Sequence, residues 1–259
     1  MTRLETRLRA LRDDGRKLVI PYVMAGIGEG WTDYVLAAAA GGADAIEIGV
    51  PFSDPSMDGI VIQRAGEVAL ARGAALGGVL GELKGVSPGI PMLVMTYYNL
   101  FYRAGLDRIA GTLAEVGVGG VILPDLPIEE VGPWAAAAAG PGIATVQLVS
   151  PVTEGERLVR VAAASEGFVY GVGLMGITGE RLKLADTAVD IARRIKAVSD
   201  KVVCVGVGVS SPEQAAQVVS AGADGVVVGS ALVRRILDGG NPLAVEGFVA
   251  ELRSAVDTA

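Results

Sequence analysis

The sequence predicts an α/β protein built as a single barrel of eight parallel strands, and three observations support this. The chain has 259 residues, close to the roughly 250 that one such barrel needs. Short runs of β-branched residues alternate with Ala- or Leu-rich amphipathic stretches along the whole sequence, as in a repeated strand–helix unit. A hydrophobic content of 51% with 20% charged residues is typical of a buried parallel sheet. No change in composition marks a boundary, so we expect residues 1–259 to form one domain.

The first element is an expected N-terminal helix that lies outside the barrel repeat, because residues 1–10 are amphipathic and rich in charge. Eight strand-like runs follow, and eight strands close a (β/α)8 TIM barrel. The strands are expected at Leu18–Val23, Ala45–Val50, Met92–Tyr97, Gly120–Leu123, Ala144–Leu148, Gly167–Val172, Lys201–Gly206 and Gly225–Val228.

Helices are expected between these strands. Segments that start at Ala40, Val116 and Ala221 repeat one sequence pattern, in which a glycine ends a helix and a strand follows directly. A doubly wound open sheet is the alternative fold, and it is less favoured because no segment resembles a dinucleotide-binding fingerprint. The expected helices include Asp33–Ala40, Leu106–Val116, Pro133–Ala139, Glu154–Ala163, Ala188–Val198, Pro212–Ser220 and Ala244–Val256.

Composition argues against several classes of function. The net charge of −7 disfavours nucleic acid or an anionic membrane as a partner. The absence of histidine removes the common zinc sites and the Ser-His and Cys-His nucleophiles. The only cysteine, Cys204, lies in an apolar run and is expected to be a core thiol. Apolar runs are too short for a membrane span and the charged N-terminus lacks the apolar centre of a signal peptide, so we expect a cytoplasmic protein.

One expected strand carries a carboxylate inside an apolar run. The two-residue period of a strand puts Glu47 on the same face as Ala45 and Gly49, which leave room beside it. Burial without a partner raises the pKa of a carboxyl toward neutrality, which suits a general acid or base. A structural glutamate, held by hydrogen bonds or an ion pair, is an alternative of similar weight. A second carboxylate, Asp58, follows in the next loop.

Three glycine clusters follow the sixth, seventh and eighth expected strands, at Gly176–Glu180, Val205–Ser210 and Val228–Ala231. The functional face of a barrel is built from the loops after its strands, and phosphate binds most often after the last two. Backbone N–H groups at such glycines and at helix N-termini hold a phosphate without a lysine. Any one cluster alone is more simply a turn, but the three together indicate a phosphate site with Gly176–Glu180 as a lid.

Other polar residues leave their interpretation open. No lysine lies at the carboxyl end of an expected strand, so a Schiff-base mechanism is not expected. The tyrosines after the third strand, and Tyr170 in the sixth, either offer a phenol to a substrate or only pack in the barrel. Asp125, after the fourth strand, is either a site carboxylate or, as we favour, a loop cap.

The segment Glu47–Gly59, together with Gly176–Gly179, Gly206–Ser210 and Gly229–Ala231, resembles the tryptophan synthase alpha chain family, and the resemblance covers essentially the whole chain. It implies a TIM-barrel lyase of L-tryptophan biosynthesis that cleaves indole-3-glycerol phosphate to indole and glyceraldehyde 3-phosphate. It also implies an α2β2 heterotetramer with a beta chain. No cofactor is implied for this chain, and pyridoxal phosphate is expected only in the beta chain.

The resemblance also implies roles for individual residues. Glu47 corresponds to the catalytic acid/base, and Asp58 to the carboxylate that binds the indole N–H. Pro51, Asp54 and Pro55 correspond to partner-contact residues. The expected substrate-binding residues are Tyr22, Tyr97, Tyr170, Thr178, Gly179, Gly208, Gly229 and Ser230.

Some positions depart from the family pattern. The two carboxylates are unaffected, so the expected reaction class stays the same, and the departures concern loop order and partner contact. A stand-alone indole-releasing lyase and a catalytically weak regulatory subunit of the beta chain are the alternatives, with a different phosphate-handling barrel enzyme as a third. The departing positions are Ile27, Gly28, Ser56, Met57, Ile60 and Gly173.

Overall fold

A computed structural model of the protein describes residues 1–172, 182–206 and 208–259. Its eight strands are β1 (Leu18–Met24), β2 (Ile46–Gly49), β3 (Met92–Met95), β4 (Val118–Ile122), β5 (Ala144–Val149), β6 (Val169–Val172), β7 (Val203–Gly206) and β8 (Gly225–Val228). They are parallel and follow one another around a closed barrel in which β1 pairs with both β2 and β8. The TIM barrel predicted from the sequence is confirmed, and the open doubly wound alternative is wrong.

The helices alternate with the strands, and an additional helix precedes the first strand as predicted. The helices are α1 (Arg3–Asp13), α2 (Trp31–Ala40), α3 (Ile60–Ala71), α4 (Leu76–Leu83), α5 (Tyr98–Ala104), α6 (Leu106–Glu115), α7 (Gly132–Ala139), α8 (Gly155–Ala164), α9 (Leu182–Val198), α10 (Pro212–Ser220), α11 (Ser230–Leu237) and α12 (Pro242–Asp257). Within the described ranges, no helix is both long enough and apolar enough to cross a membrane.

The strand boundaries differ from prediction at a few ends. β3 stops at Met95, two residues early, because Tyr97 is already the N-cap of α5. β6 starts at Val169 rather than at Gly167, whose positive φ of 78° interrupts the extended backbone. β7 starts two residues late, at Val203. These differences do not change which residues face the barrel interior.

Side chains on the strands divide between two packed layers. Alternate residues such as Ile46 and Ile48 of β2 point outward and pack under the helices. Ala45, before β2, and Leu93 of β3 belong to the cluster inside the barrel. Strand side chains alternate between faces, so Glu47 lies on the interior face, as its position in the sequence predicts.

Helix α1 closes the N-terminal end of the barrel. Leu4 and Leu8 are buried and belong to the interior cluster. A Cβ at either Gly120 or Gly167 would lie 2.7 Å from the Leu4 Cδ2 atom. The lack of a side chain at these two glycines therefore leaves space for Leu4. This end of the barrel is therefore packed for stability and leaves the opposite end for function.

Two of the three copies of the glycine pattern lead to an aspartate that accepts a hydrogen bond from a neighbouring strand. Gly42 and Gly222 have φ values of 96° and 106°, which favour glycine, and each lies two residues before an aspartate. Asp44 accepts the Val19 N–H at 2.8 Å, and Asp224 accepts the Val203 N–H at 2.9 Å. These two copies of the internal repeat thus place equivalent carboxylates just before β2 and β8.

Candidate active site

Glu47 lies on β2 in the barrel interior and is fully buried. Its neighbours in strand register are Tyr22 of β1 and Leu93 of β3. Neither carboxyl oxygen has a hydrogen-bond partner among the described residues. The structural alternative, a glutamate held by hydrogen bonds or an ion pair, therefore finds no support in the part of the chain that the structure describes.

Burial, with a smaller contribution from the Asp58 charge, raises the pKa of Glu47 to about 8. A carboxyl with this pKa is largely protonated at neutral pH, so it can donate a proton and take one back. A buried carboxyl without partners is costly to stability. That cost is characteristic of functional sites.

Asp58 lies in the loop between β2 and α3 and is partly buried. Its backbone carbonyl accepts a hydrogen bond from the Gln63 side chain at 2.9 Å, which ties the loop to the first turn of α3. Burial raises the pKa of Asp58 to about 6, and the neighbouring Tyr97 hydroxyl opposes that rise. At neutral pH Asp58 is therefore mostly ionised while Glu47 is mostly protonated.

Two tyrosine rings lie over glycines of the neighbouring strands. A Cβ at Gly49 would lie 1.8 Å from the Tyr22 hydroxyl oxygen, and one at Gly206 would lie 2.5 Å from that of Tyr170. Burial raises the pKa of both phenols well above the usual value, and the Glu47 charge adds to the rise in each. Tyr22 and Tyr170 thus stay protonated beside Glu47 and can act as hydrogen-bond donors.

Tyr97 follows β3, and its hydroxyl is engaged with the loop that carries Asp58. The Tyr97 oxygen accepts the Met57 N–H at 2.8 Å, and its ring stacks on Phe52 with centroids 4.8 Å apart. Burial, the main cause, raises the pKa of Tyr97 to about 12. The sequence predicted Tyr97 at the site but not Phe52 or Gln63, because the contacts that hold a loop leave no periodic signal.

A pocket opens between the ends of β1, β2 and β3. The empty space in it, with the open solvent at its mouth included, is about 340 Å³. Asp58 and the phenols of Tyr22 and Tyr97 supply polar groups to a wall that is otherwise mostly apolar. The mostly apolar lining residues include Met24, Val50, Phe52, Ile62, Met95 and Pro124. This lining suits a flat apolar ring system with one polar edge.

The glycines predicted to hold phosphate lie after two adjacent strands. β7 pairs with β8, and Gly208 lies two residues beyond the end of β7 with a φ of 54°. Gly229 is the N-cap of α11, and Ser230 is the first residue of that helix. N–H groups in the first turn of a helix have no acceptor within the helix and favour an anion. Thr178, Gly179 and the departing position Gly173 lie outside the described residues.

Three lysines are engaged away from this end of the barrel. Lys17 donates to the Ala223 carbonyl at 3.1 Å, and Lys196 pairs with Asp224 at 2.7 Å. Lys201 donates to carbonyls at the end of α8, those of Ala163 and Ser165. None of these contacts points to an amine nucleophile. In the described ranges, no three His, Cys, Asp or Glu side chains are grouped to hold a metal ion.

The partner-contact residues expected from the resemblance lie on the same loop as Asp58. Pro51 is buried, Pro55 is partly buried, and exposed Asp54 accepts a hydrogen bond from Ser53 at 2.6 Å. Two departing residues of this region, Met57 and Ile60, are 54% and 83% exposed. An apolar surface therefore borders the pocket.

Three other departing positions lie in the loops after β1 and β2. Ile27 is buried after β1, a Cβ at Gly28 would meet nothing within 4 Å, and Ser56 is exposed on the loop after β2. Asp125 is a cap, as favoured from the sequence, because it accepts the Tyr98 N–H at the start of α5.

Comparison with known proteins identifies consistent relatives over the whole chain. A family model described as "Tryptophan synthase alpha chain" matches residues 8–253. The sequence is 42% identical to the tryptophan synthase alpha chain of Streptomyces coelicolor, over 98% of this chain and 96% of that protein. It is also 42% identical to the alpha chain of Thermobifida fusca, over 100% of this chain and 99% of that protein.

Solved structures give the same result. The fold matches the crystal structure of tryptophan synthase subunit alpha from Legionella pneumophila with a TM-score of 0.91, at 32% identity and full coverage of both chains. It matches a chain in a structure of Mycobacterium tuberculosis tryptophan synthase with a TM-score of 0.88, at 39% identity and 98% coverage of both.

Proposed function

The chain belongs to the tryptophan synthase alpha chain family, and on this premise we propose that it is a carbon–carbon lyase that cleaves indole-3-glycerol phosphate to indole and glyceraldehyde 3-phosphate. Membership gives it a role in tryptophan synthesis. The observation that carries the specific reaction is the pair of carboxyls with unlike environments, Glu47 buried without a described partner and Asp58 at the wall of the pocket.

The two carboxyls fit the needs of a retro-aldol cleavage. Glu47, protonated at neutral pH, gives its proton to C3 of the indole, and ionised Asp58 accepts the indole N–H and stabilises the cation that forms at nitrogen. The glycerol hydroxyl on the carbon bonded to C3 then loses its proton to the Glu47 carboxylate. The bond from C3 to that carbon breaks, its electrons neutralise the ring cation, and a carbonyl forms. Glu47 ends the cycle protonated, so protons balance.

The rest of the proposed site binds the two ends of the substrate. Tyr22 and Tyr97 line the pocket proposed for the indole ring, and Tyr170 is proposed beside the glycerol phosphate. Gly208, Gly229 and Ser230 are proposed to hold the phosphate through backbone N–H groups, with Thr178 and Gly179 assigned by the family resemblance. We propose no cofactor for this chain, and pyridoxal phosphate is assigned only to the beta chain.

The proposed partner is a tryptophan synthase beta chain, in an α2β2 heterotetramer. Pro51, Asp54 and Pro55 are the proposed contact residues, and the exposed apolar side chains of Met57 and Ile60 beside them support a protein partner at this face. We propose that residues 1–259 form one domain. The cytoplasmic location stays a prediction.

One assay tests this proposal. Indole release from indole-3-glycerol phosphate is measured for the isolated chain and for the chain with a beta chain present. The proposal expects release that the beta chain accelerates. Fast release without any response to a beta chain would favour a stand-alone lyase, and no release in either case would favour a regulatory subunit.

A further inference from the structure

We propose that Asp125 is a positioning residue which, through the backbone of Tyr98 and the side chain of Tyr97, holds the loop that carries Asp58. The inference rests on the proposed function, because Asp58 has its catalytic role there. Asp125 lies after β4, Tyr97 after β3 and Asp58 after β2. The proposed link therefore joins three successive strand-end loops.

The first part of the link is a helix cap supplied by another loop. The N-cap of α5, Tyr97, makes no capping bond with its own side chain. Asp125 supplies the capping bond instead, because its two carboxylate oxygens accept the Tyr98 N–H at 2.9 and 3.2 Å. A carboxylate at a helix N-terminus is favourable because it satisfies a free N–H and complements the helix dipole. The start of α5, and Tyr97 with it, is thereby fixed to the loop after β4.

The second part of the link joins Tyr97 to the Asp58 loop at two points. The Tyr97 hydroxyl accepts the N–H of Met57, the residue just before Asp58, at 2.8 Å. The Tyr97 ring stacks on Phe52, near the start of the same loop, at an interplanar angle of 23°. Tyr97 thus holds both ends of the segment 52–57, and a shift of Tyr97 moves the backbone that carries Asp58.

The link also bears on the charge of Asp58. The titratable groups that face the pair formed by Asp58 and Tyr97 are Tyr22 of β1, Glu47 of β2 and Asp125 after β4. Among them, the Tyr97 hydroxyl lowers the pKa of Asp58 against the effect of burial. Displacing that hydroxyl removes this effect, so less of Asp58 is ionised at neutral pH.

If Asp125 only capped helix α5, removing its side chain would have a different outcome. Removing such a cap costs stability but does not change the protonation of a distant group. Asp107 provides the control, because it is likewise an exposed aspartate at a helix N-terminus, in the first turn of α6, and it makes no side-chain hydrogen bond or ion pair among the described residues. Asp125→Asn provides the rescue, since the amide oxygen still accepts the Tyr98 N–H.

The test measures two properties of the full chain, with its beta chain present for the kinetics. The first is the pH dependence of kcat and KM for indole release in wild type, Asp125→Ala, Asp125→Asn and Asp107→Ala. We expect Asp125→Ala to lower kcat about 10-fold with less change in KM, as loss of positioning does. The fall in activity at acidic pH, where Asp58 becomes protonated, should also move to higher pH. Asp125→Asn should stay near wild type, as should Asp107→Ala.

The second measurement is hydrogen exchange of the Met57 amide, which needs no activity. We expect exchange about 10-fold faster in Asp125→Ala and in Tyr97→Phe than in wild type, because both release the bond to this amide. The double variant should exchange no faster than Tyr97→Phe alone, since both changes act on one link.

The outcomes separate this inference from the proposed function. Unchanged Met57 exchange in Asp125→Ala, or kinetics equal to those of Asp107→Ala, would overturn the inference while wild-type cleavage stands. Absence of indole release by wild type would overturn the proposed function and the catalytic part of the inference together, and Met57 exchange would still decide whether the link exists.

Discussion

Glu47 and Asp58 are close enough for the Asp58 charge to add to burial in raising the pKa of Glu47. The two carboxyls therefore differ in pKa, which is about 6 for Asp58 and about 8 for Glu47. Over the interval between these pKa values, one carboxyl is ionised while the other keeps its proton. This is the arrangement in which one can stabilise a cation while the other transfers a proton.

The first prediction is a bell-shaped pH profile for kcat/KM, with limbs near pH 6 and pH 8. Activity falls below the lower limb because Asp58 becomes protonated, and above the upper limb because Glu47 loses its proton. In Asp58→Asn, the residual activity should lack the acidic limb. Its alkaline limb should move to lower pH, since the charge that helps raise the pKa of Glu47 is gone. An alkaline limb that stays in place would show that the two groups are not coupled.

The second prediction concerns the space that Gly49 leaves for Tyr22. Gly49→Ala should destabilise the protein by about 1–3 kcal/mol, as overpacking of a core does, because the new Cβ would lie 1.8 Å from the Tyr22 hydroxyl oxygen. Gly81→Ala is the control, since nothing lies within 4 Å of its Cβ and alanine favours helix α4.

Urea unfolding of Gly49→Ala, Gly81→Ala, Tyr22→Ala and Gly49→Ala/Tyr22→Ala measures this effect. The double variant should lose less stability than the sum of the losses in Gly49→Ala and Tyr22→Ala. Additive losses would mean that the Tyr22 ring does not occupy the space over Gly49.

The third prediction concerns the phosphate. Gly208→Val and Gly229→Val should abolish binding of glycerol phosphate measured by calorimetry, because a bulky side chain blocks close approach to the backbone donors and, at Gly208, the φ of 54° disfavours it. Substitution of any single lysine by alanine should leave the affinity within about 2-fold, as expected for surface changes away from the ligand. An essential lysine in that scan would refute the proposed phosphate site.

Sequence patterns predicted most of the architecture and part of the site. The eight strands, the glycine pattern before Asp44 and Asp224, and the inward direction of Glu47 follow from local periodicity and turn chemistry. The fit of Tyr22 over Gly49 does not, because it depends on the register between β1 and β2, which neither strand encodes alone. Contacts between loops, such as that of Tyr97 with Met57, depend on where two strands end in space.

The fourth prediction concerns the partner. Asp54→Ala should weaken activation by a beta chain more than it lowers the basal rate, because Asp54 is exposed on the loop that carries Asp58. Asp14→Ala, which removes an exposed aspartate at the end of α1, is the matched control and should change neither rate. The exposed Met57 and Ile60 side chains lead us to expect poor activation by a beta chain from a distant source. Equal loss of basal and activated rates in Asp54→Ala would place that residue outside the contact.

The most direct test of the central claim is indole release from indole-3-glycerol phosphate by wild type and by Glu47→Gln, with Glu130→Gln as a control at an exposed glutamate. Glutamine keeps the size of the side chain but cannot transfer a proton, so kcat should fall at least ~10²-fold. Binding of glycerol phosphate and the circular dichroism spectrum should stay unchanged, and Glu130→Gln should match wild type. Near-normal turnover by Glu47→Gln would contradict the account.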